Sequence, residues 1–243
     1  MIDTLHFVML LNFQICGKHE TVHWRSAMKR FSPLVTLFIV FLVARVVSAQ
    51  SVADYYPLQK GSSWQYRTTP IGNSAIKPDT TKMVLWGKLF IGDKEAFVIK
   101  NEMGNGNCSY KWLWIDERGN VVLASLSTEP SRERAIVDFD PPMIILSHDA
   151  PTVGATWEIR QKTNLGELLT GTSLVESNRE TVTVRAGTFR NCLKVKYTEL
   201  DENGKEAGFR YMFFAKDVGI VLMEQVEPES RRSREELMEY SVK

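Results

Sequence analysis

Most of this chain alternates between apolar and polar residues with a period of two. The alternating segments are rich in β-branched and aromatic residues, and glycine-containing turns such as Asn203-Gly204 separate them. An Asn-Gly pair between two strand-like segments is the strongest short signal for a β-hairpin. No long segment shows the spacing of an amphipathic helix. The sequence therefore predicts a mainly antiparallel β fold in which neighbouring strands pair directly.

Two segments differ because both of their faces are apolar. In residues 109–115 (SYKWLWI), aromatic residues alternate with Leu113 and Ile115, and residues 210–215 (RYMFFA) repeat the arrangement. Such strands lie in the middle of a covered sheet or line a cavity. Aromatic rings there either fill a core or line a groove for a lipid, a glycan or a peptide. The candidate binding residues are Trp112, Trp114, Tyr211 and Phe213.

The chain also aligns with itself in three blocks that keep their order. Residues 57–64 match 151–157, residues 96–102 match 192–199, and residues 110–123 match 209–222. The offset grows slowly from block to block, as loop insertions would make it. We expect two duplicated, meander-like halves, at about residues 55–130 and 148–243.

The N-terminal part carries an export pattern that starts late. Three residues, Met28-Lys29-Arg30, precede an apolar run over residues 34–47, and the exit Val-Ser-Ala ends at Ala49. This is the order of a secretory signal peptide, so we predict a signal over residues 28–49 with cleavage after Ala49. Residues 1–27 fit neither an export signal nor a fold, and we interpret them as a spurious extension from a misassigned start.

A membrane anchor is the alternative for the apolar run. A spanning helix needs about 20 apolar residues, and Arg45 interrupts this shorter run. No cysteine follows the cleavage point to accept a lipid. We therefore expect a protein released into the periplasm or outside the cell, without a stable anchor after cleavage.

Residues 50–243 are long enough for one domain with a sizeable core. They contain 25 Lys and Arg against 27 Asp and Glu, a net charge of −2. Nucleic-acid-binding proteins usually carry a clustered basic excess. Nucleic acid is therefore disfavoured as a partner.

Two cysteines, Cys108 and Cys192, remain after the predicted cleavage. In an oxidising compartment they form either a disulfide or two inert, partly buried thiols. Strand parity places Cys192 with Lys194 and Cys108 with Tyr110, on faces of different character. Both alternatives stay open at this point.

The sequence shows no set of residues for catalysis or metal binding. After cleavage His148 is the only histidine, so a site with two histidines cannot form within one chain. The acidic pairs, such as Asp116-Glu117 and Asp201-Glu202, lie in turns where acidic residues are ordinary. We expect no enzyme activity, no metal and no cofactor, with a carboxylate-based hydrolase as the least favoured alternative.

The C-terminal segment has two interpretations. Ser233 and Glu236 have the spacing of a helical capping box, whereas Met238, Tyr240 and Val242 alternate as a strand would. The strand is favoured, because a last strand would cover an open sheet edge.

Three segments resemble the TapB-like exported proteins of bacteria, a family defined by a domain of unknown function. They are residues 55–66 (YYPLQKGSSWQY), 180–195 (ETVTVRAGTFRNCLKV) and 212–222 (MFFAKDVGIVL). The chain departs from the family at Arg185, where proline is common, and at residues 215–219, which lack the usual proline and first glycine. The resemblance implies an exported protein with a curved antiparallel sheet or half-barrel, and it supplies no catalytic residues.

These observations together predict an exported, non-catalytic β-domain that binds a hydrophobic or extended ligand. The alternative is a cell-envelope protein that pairs a free sheet edge or an apolar patch with another protein.

Overall fold

The computed structural model describes residues 51–72, 77–91, 93–129, 135–226 and 232–243. These residues form strands and one short 3₁₀ helix, so the predicted mainly antiparallel β fold is confirmed. The predicted signal peptide, its cleavage after Ala49 and the extension 1–27 lie outside the described residues.

The 3₁₀ helix spans Val52–Tyr55, and twelve strands follow it among the described residues. They are β1 (Ser63–Ile71), β2 (Asp79–Ile91), β3 (Lys94–Met103), β4 (Cys108–Ile115), β5 (Val121–Ser127), β6 (Ala135–Leu146), β7 (Thr156–Thr163), β8 (Leu168–Val184), β9 (Gly187–Leu200), β10 (Glu206–Ala215), β11 (Gly219–Val226) and β12 (Arg232–Ser241).

The strands form a closed barrel in which each one pairs antiparallel with its neighbours in sequence. The ring closes between β1 and β12, from Ser63 opposite Ser241 to Ile71 opposite Arg232. The expected half-barrel is therefore corrected to a full barrel, because this pairing joins the two strands that would be the edges of an open sheet. The C-terminal segment accordingly forms a strand and not a capped helix.

The three blocks of the internal alignment fall on strands that lie six apart in the ring. The first block leads into β1 and β7, the second lies on β3 and β9, and the third covers β4–β5 and β10–β11. Strands six apart in a ring of twelve lie on opposite walls. The duplication itself stays a prediction.

One end of the barrel is plugged by the segment that precedes β1. Val52, Tyr55 and Tyr56 of this segment belong to the barrel core, and Tyr55 is only 1% exposed. The backbone N–H of Asp217 donates to the Asp54 carbonyl, and Lys216 forms an ion pair with the Asp54 carboxylate at 3.3 Å. We call this the plugged end. The even-numbered strands begin at the other end, which we call the opposite end.

A smaller cluster lies on the outer face of β3, β4 and β5. We call it the outer aromatic cluster, and it consists of Ala96, Val98, Tyr110, Trp112, Trp114, Val122 and Ala124. On β4 its members alternate with Leu113, which belongs to the barrel core. The two apolar faces of β4 thus serve two separate clusters, as a strand covered on both sides requires.

Candidate functional site

Three charged side chains lie on the inner face well inside the barrel, and Glu199 of β9 lies on the same face nearer the end of its strand, opposite Gly171 and Gly208. Lys111 on β4 shares the inner face of Leu113, and Arg210 on β10 shares that of Met212. Glu235 on β12 lies two residues before Leu237, which is fully buried in the barrel core. Charged residues are rarely directed into a protein interior unless they are paired. These three therefore form the first candidate for a functional site.

The three charges lie at a similar depth. Strands β4, β10 and β12 all start at the opposite end, and the charged residue is the fourth, fifth and fourth of its strand. At about 3.3 Å per residue this places each one roughly 10 Å inside that end. All three keep part of their surface accessible. Their place on the inner wall of the closed barrel, with part of each surface accessible, defines the space that we call the chamber.

The charges influence one another within this chamber. Burial lowers the pKa of Lys111. The Glu235 carboxylate acts to raise this pKa, whereas the Arg210 guanidinium lowers it further. Burial raises the pKa of Glu235, and the positive charges of Lys111 and Arg210 only partly offset it. The three groups are thus close enough to interact electrostatically in a poorly solvated space.

The charges do not satisfy one another by direct contact. Lys111 and Glu235 form no ion pair with any described residue, while Arg210 bonds through Nη2 to Glu199 at 3.1 Å. Glu199 lies towards the rim, where 61% of its side chain is exposed. The Nε of Arg210 is buried and has no acceptor in the described part of the chain. The chamber therefore presents donors that remain available.

Other inner-facing polar atoms are also without partners. Asn101 on β3, Gln161 on β7 and Ser173 on β8 each place a buried oxygen that accepts no hydrogen bond from a described residue. Ser173 stands between the core residues Trp157 and Tyr197 in the sheet register. Buried polar atoms in native proteins are normally satisfied by protein, water or a ligand. The inner wall near the opposite end is therefore suited to a polar guest.

Three tyrosines surround the inner end of the chamber. The hydroxyls of Tyr66 and Tyr197 donate to the carbonyls of Ile220 at 2.9 Å and Ile145 at 2.6 Å. The hydroxyl of Tyr56 makes no hydrogen bond to a described residue, and burial raises its pKa to about 12. Tyr56 thus stays neutral and adds one free hydroxyl.

The floor of the barrel near the plugged end is almost filled. A cavity of about 20 Å³ remains there, between Tyr56, Trp64, Tyr66 and Ile220. This volume accommodates about one water molecule. This cavity therefore has no room for a larger guest.

A wider concavity lies on the outer surface. It has a volume of about 450 Å³ and is lined by β7, β8 and the tip of the β9–β10 hairpin, including Glu158, Arg160, Leu168 and Glu202. Its polar lining residues on β7 alternate with Ile159, which packs against the core.

The structure places the sequence-predicted binding residues in two separate groups. Trp112 and Trp114 lie in the outer aromatic cluster on β4, 1% and 8% exposed. Tyr211 and Phe213 lie on β10, where the Lys194 ammonium stands 4.1 Å from the Tyr211 ring centre. Because β4 and β10 are on opposite walls, the structure does not bring the two pairs together. Ligand binding by either pair stays a prediction.

Cys108 and Cys192 are free thiols in the structure, so no disulfide joins them. They lie on β4 and β9, which are five strands apart in the ring. Burial raises the pKa of Cys192 to about 11, and its thiol donates to the Phe189 carbonyl at 3.6 Å. Cys192 is thus a buried, unreactive thiol.

The side chains considered above for hydrolysis, which are His148 and the acidic residues of the turns, each contact neighbouring residues. His148 Nδ1 is 3.0 Å from Asn120 Oδ1, and its Nε2 is 3.3 Å from Asp149. The Asp116 and Asp201 carboxylates each accept two backbone N–H groups of their own turns. In the described part of the chain, no group of three or more His, Cys, Asp or Glu is placed to hold a metal ion.

The inner charges were not predicted from the sequence, although a signal for them exists. In the internal alignment of residues 110–123 with 209–222, Lys111 stands opposite Arg210. Each is the single charge in a segment that is apolar on both faces. A charge kept at the same position of two such segments indicates an inner wall with a polar role.

Comparisons with known proteins give two structural matches. A protein of Bacteroides fragilis described as exported, with a YmcC-like fold, is 17% identical, with a TM-score of 0.47, over 75% of this chain and 96% of that one. A protein of Parabacteroides distasonis described as a lipoprotein is 14% identical, with a TM-score of 0.41, over 76% of this chain and 97% of that one.

No protein-family model matches the chain, and no curated protein matches it. Within the described ranges, no helix has the length and apolar character needed to cross a membrane. At these identities and TM-scores the two structures do not establish a relationship, so the role of the site follows from its own geometry.

Proposed function

We propose that this protein is an exported, non-catalytic binding protein that receives an extended ligand through the opposite end of its barrel. The observation that carries the proposal is the chamber of Lys111, Arg210 and Glu235. These three charges face the interior of the barrel, and neither Lys111 nor Glu235 has an ion-pair partner among the described residues. A purely structural core would place apolar residues there, because desolvating charges costs stability.

The geometry also limits how the ligand lies. The cavity of about 20 Å³ near the plugged end has room for about one water molecule. The polar end of the ligand therefore sits between the charges, and its apolar or extended part leads out past the rim.

Binding is tested with a matched pair of eight-carbon probes, octanoate and octanamide, on the protein as the producing cell exports it. We expect at least one probe to shift the backbone amide signals of Lys111, Arg210 and Glu235 in NMR spectra. Shifts confined to the outer surface, or no shift with either probe, would contradict the proposal. N-terminal sequencing of the same material is expected to begin at Gln50.

A second candidate function is an interaction with another envelope protein along β2. Strand β1 pairs with β2 only as far as Val84, so residues 86–91 have no described strand on the side away from β3. Trp86 and Phe90 in this segment are 49% and 75% exposed. A free edge with exposed apolar side chains suits the addition of an extended strand from a partner.

Crosslinking in the cell tests this second function. The double variant Leu89→Lys and Phe90→Lys is expected to abolish a crosslinked complex, because lysines on an edge oppose strand addition. The control is Leu165→Lys with Leu168→Lys, two residues 61% and 57% exposed near the β7–β8 turn. Equal loss in both double variants would contradict a specific β2 edge.

A further inference from the structure

The β2–β3 hairpin extends past the start of β1 at the plugged end. The last contacts of β2 with the chain that leads into β1 are two backbone hydrogen bonds, which Leu85 makes with Gly61 and Ser62. Residues 86–91 continue beyond this point and pair, among the described strands, only with β3. At about 3.3 Å per residue, these six residues reach roughly 20 Å further. We call residues 86–91 and their partners 94–98 the hairpin extension.

Apolar side chains are exposed on both faces of the hairpin extension. Leu89 stands opposite Ala96, a member of the outer aromatic cluster, whereas Phe90 stands on the other face, opposite Glu95. Among the described residues, Phe90 is the most exposed large apolar side chain. A strand added along the edge of β2 covers neither face, and a protein surface packed on one face leaves the other in water. A lipid interface surrounds an inserted hairpin and covers both faces.

The charges of the hairpin extension and its turn cancel. Lys88 forms an ion pair with Glu95 at 2.7 Å, the Lys94 ammonium lies 5.4 Å from the Trp114 ring centre, and Asp93 lies in the turn. Attraction to a lipid surface would therefore come from the apolar side chains and would not need anionic lipids. The Asp93 carboxylate limits the depth of insertion, because an unpaired charge stays in the hydrated headgroup layer.

The chain enters the barrel at the same end. The 3₁₀ helix of the plugged end begins at Val52, and the apolar run of the predicted signal ends at residue 47. The link from residue 47 to residue 52 is at most about 18 Å long. While the signal lies in the membrane during export, the plugged end therefore stays close to the lipid surface. Two more exposed apolar side chains belong to this end, Ile115 at the end of β4 and Val153 before β7.

From this geometry we infer that the hairpin extension is a lipid-binding surface that inserts Leu89 and Phe90 into a membrane interface. Trp86 lies at the base of the extension, half exposed, with its ring centre 6.2 Å from that of Tyr110. This is the level of the headgroups, where the amphipathic ring of tryptophan is favoured. The opposite end, through which we propose that the ligand enters, then faces away from the membrane.

Vesicle sedimentation tests the inference on the exported protein. We expect binding to vesicles of phosphatidylcholine, with no gain when phosphatidylglycerol is added, because the charges of the extension cancel. The double variant Leu89→Lys and Phe90→Lys is expected to bind about 10-fold more weakly, since two apolar side chains are lost from the interface. Asp93→Asn is expected to bind more tightly, because it removes the charge that limits insertion. This gain does not depend on the folding of the double variant.

The control is Leu165→Lys with Leu168→Lys, two exposed residues at the opposite end, which should leave vesicle binding unchanged. No binding to either kind of vesicle, equal loss in both double variants, or a requirement for phosphatidylglycerol would overturn the inference. A protein complex crosslinked through Leu89 and Phe90 without vesicle binding would also overturn it, in favour of the second candidate function. None of these results affects ligand binding inside the barrel, so the proposed function is tested separately.

Discussion

Gly171 marks a point where β8 and β9 approach too closely for any side chain. A Cβ at this position would overlap the Thr198 carbonyl oxygen, which is backbone and cannot rotate away. We expect Gly171→Ala to lower the free energy of unfolding by about 1–3 kcal/mol, because the strands must separate to relieve the overlap. Urea denaturation followed by circular dichroism measures the loss.

Gly87→Ala is the matched control for this prediction. Gly87 is also a strand glycine, and no described atom lies within 4 Å of the place that a Cβ would take there. Its replacement should leave stability unchanged or slightly raise it, since glycine weakens strands. Similar losses at Gly87 and Gly171 would show that the close approach is not the cause. Gly171 pairs with Glu199 in the sheet. The strand separation expected for Gly171→Ala therefore also displaces Glu199, the ion-pair partner of Arg210.

Glu235 gives the barrel a pH-dependent stability. Its pKa is raised by burial above the ordinary value of 4.5, so the folded protein binds this proton more tightly than the unfolded chain. The stability that this proton contributes is fully present at pH values below 4.5, the ordinary pKa, and is lost as the pH rises through the higher pKa of the folded protein. We expect the free energy of unfolding of Glu235→Gln, relative to the unaltered protein, to increase between about pH 4 and pH 8.

Urea denaturation between about pH 4 and pH 8 measures the difference in the free energy of unfolding between Glu235→Gln and the unaltered protein. Glu236→Gln corrects for the general loss of a carboxylate, because Glu236 lies on the outer face and contacts Arg234 at 2.8 Å. A constant difference between Glu235→Gln and the unaltered protein would mean that the Glu235 proton is held equally in both states.

At the scale of the elements, β1 and β7 each carry a tryptophan as their second residue, and the hydrogen bonds of the two indoles differ. Trp64 Nε1 donates to the Val218 carbonyl at 2.6 Å, whereas Trp157 Nε1 donates to Ile144 at 3.3 Å. Both rings are similarly buried. We expect Trp64→Phe to cost about 1–3 kcal/mol, since a buried carbonyl loses its donor, and Trp157→Phe to cost less. Circular dichroism during urea denaturation compares them.

The ring change is the same in the two tryptophan variants, so their difference isolates the hydrogen bond. Equal losses would attribute the effect to ring volume. The Trp64 bond also joins β1 to the β10–β11 connection at the plugged end, which gives this single contact an influence on the closure of the barrel.

The strands could be predicted because their period-two patterns and hairpin turns are local. Asn203-Gly204 does separate β9 from β10, and the Asp201 carboxylate accepts the N–H groups of Asn203 and Lys205. Closure of the barrel could not be predicted in this way. It depends on the pairing of β1 with β12, the two strands farthest apart in sequence, and alternation does not encode the partner of a strand.

The candidate site was harder to predict than the strands. The sequence predicts a binding site from the aromatic residues of β4 and β10. In the structure, however, Trp112 and Trp114 face outwards, and the inner face of β4 carries Lys111. On a strand with two apolar faces, alternation does not tell the inner face from the outer one. The pairing with neighbouring strands around the ring decides which face of β4 is the inner one. The burial that lowers the pKa of Lys111 agrees with its inner position.

At the scale of the whole molecule, the pairing around the ring is uneven. Strands β8 and β9 pair along most of their length, from Thr170 with Leu200 to Val184 with Gly187. Strands β6 and β7 pair only at Phe139 with Thr163 and at Asp140 with Lys162. Two carbonyls of β6, at Ile144 and Ile145, accept side-chain donors from Trp157 and Tyr197 where a full ladder would supply backbone N–H groups.

This unevenness predicts where the closed barrel opens first. Native-state hydrogen exchange is expected to show the lowest protection at the β6–β7 seam, with Asp138 and Asn164 as reporters, because the Asp138 N–H donates to Asn164 Oδ1 and the Asn164 N–H to the Asp138 carbonyl. Amides at the centre of β8 and β9 should exchange only through global unfolding. Uniform protection around the ring would contradict a weak seam and would mean that the side-chain donors of Trp157 and Tyr197 replace the missing ladder in full.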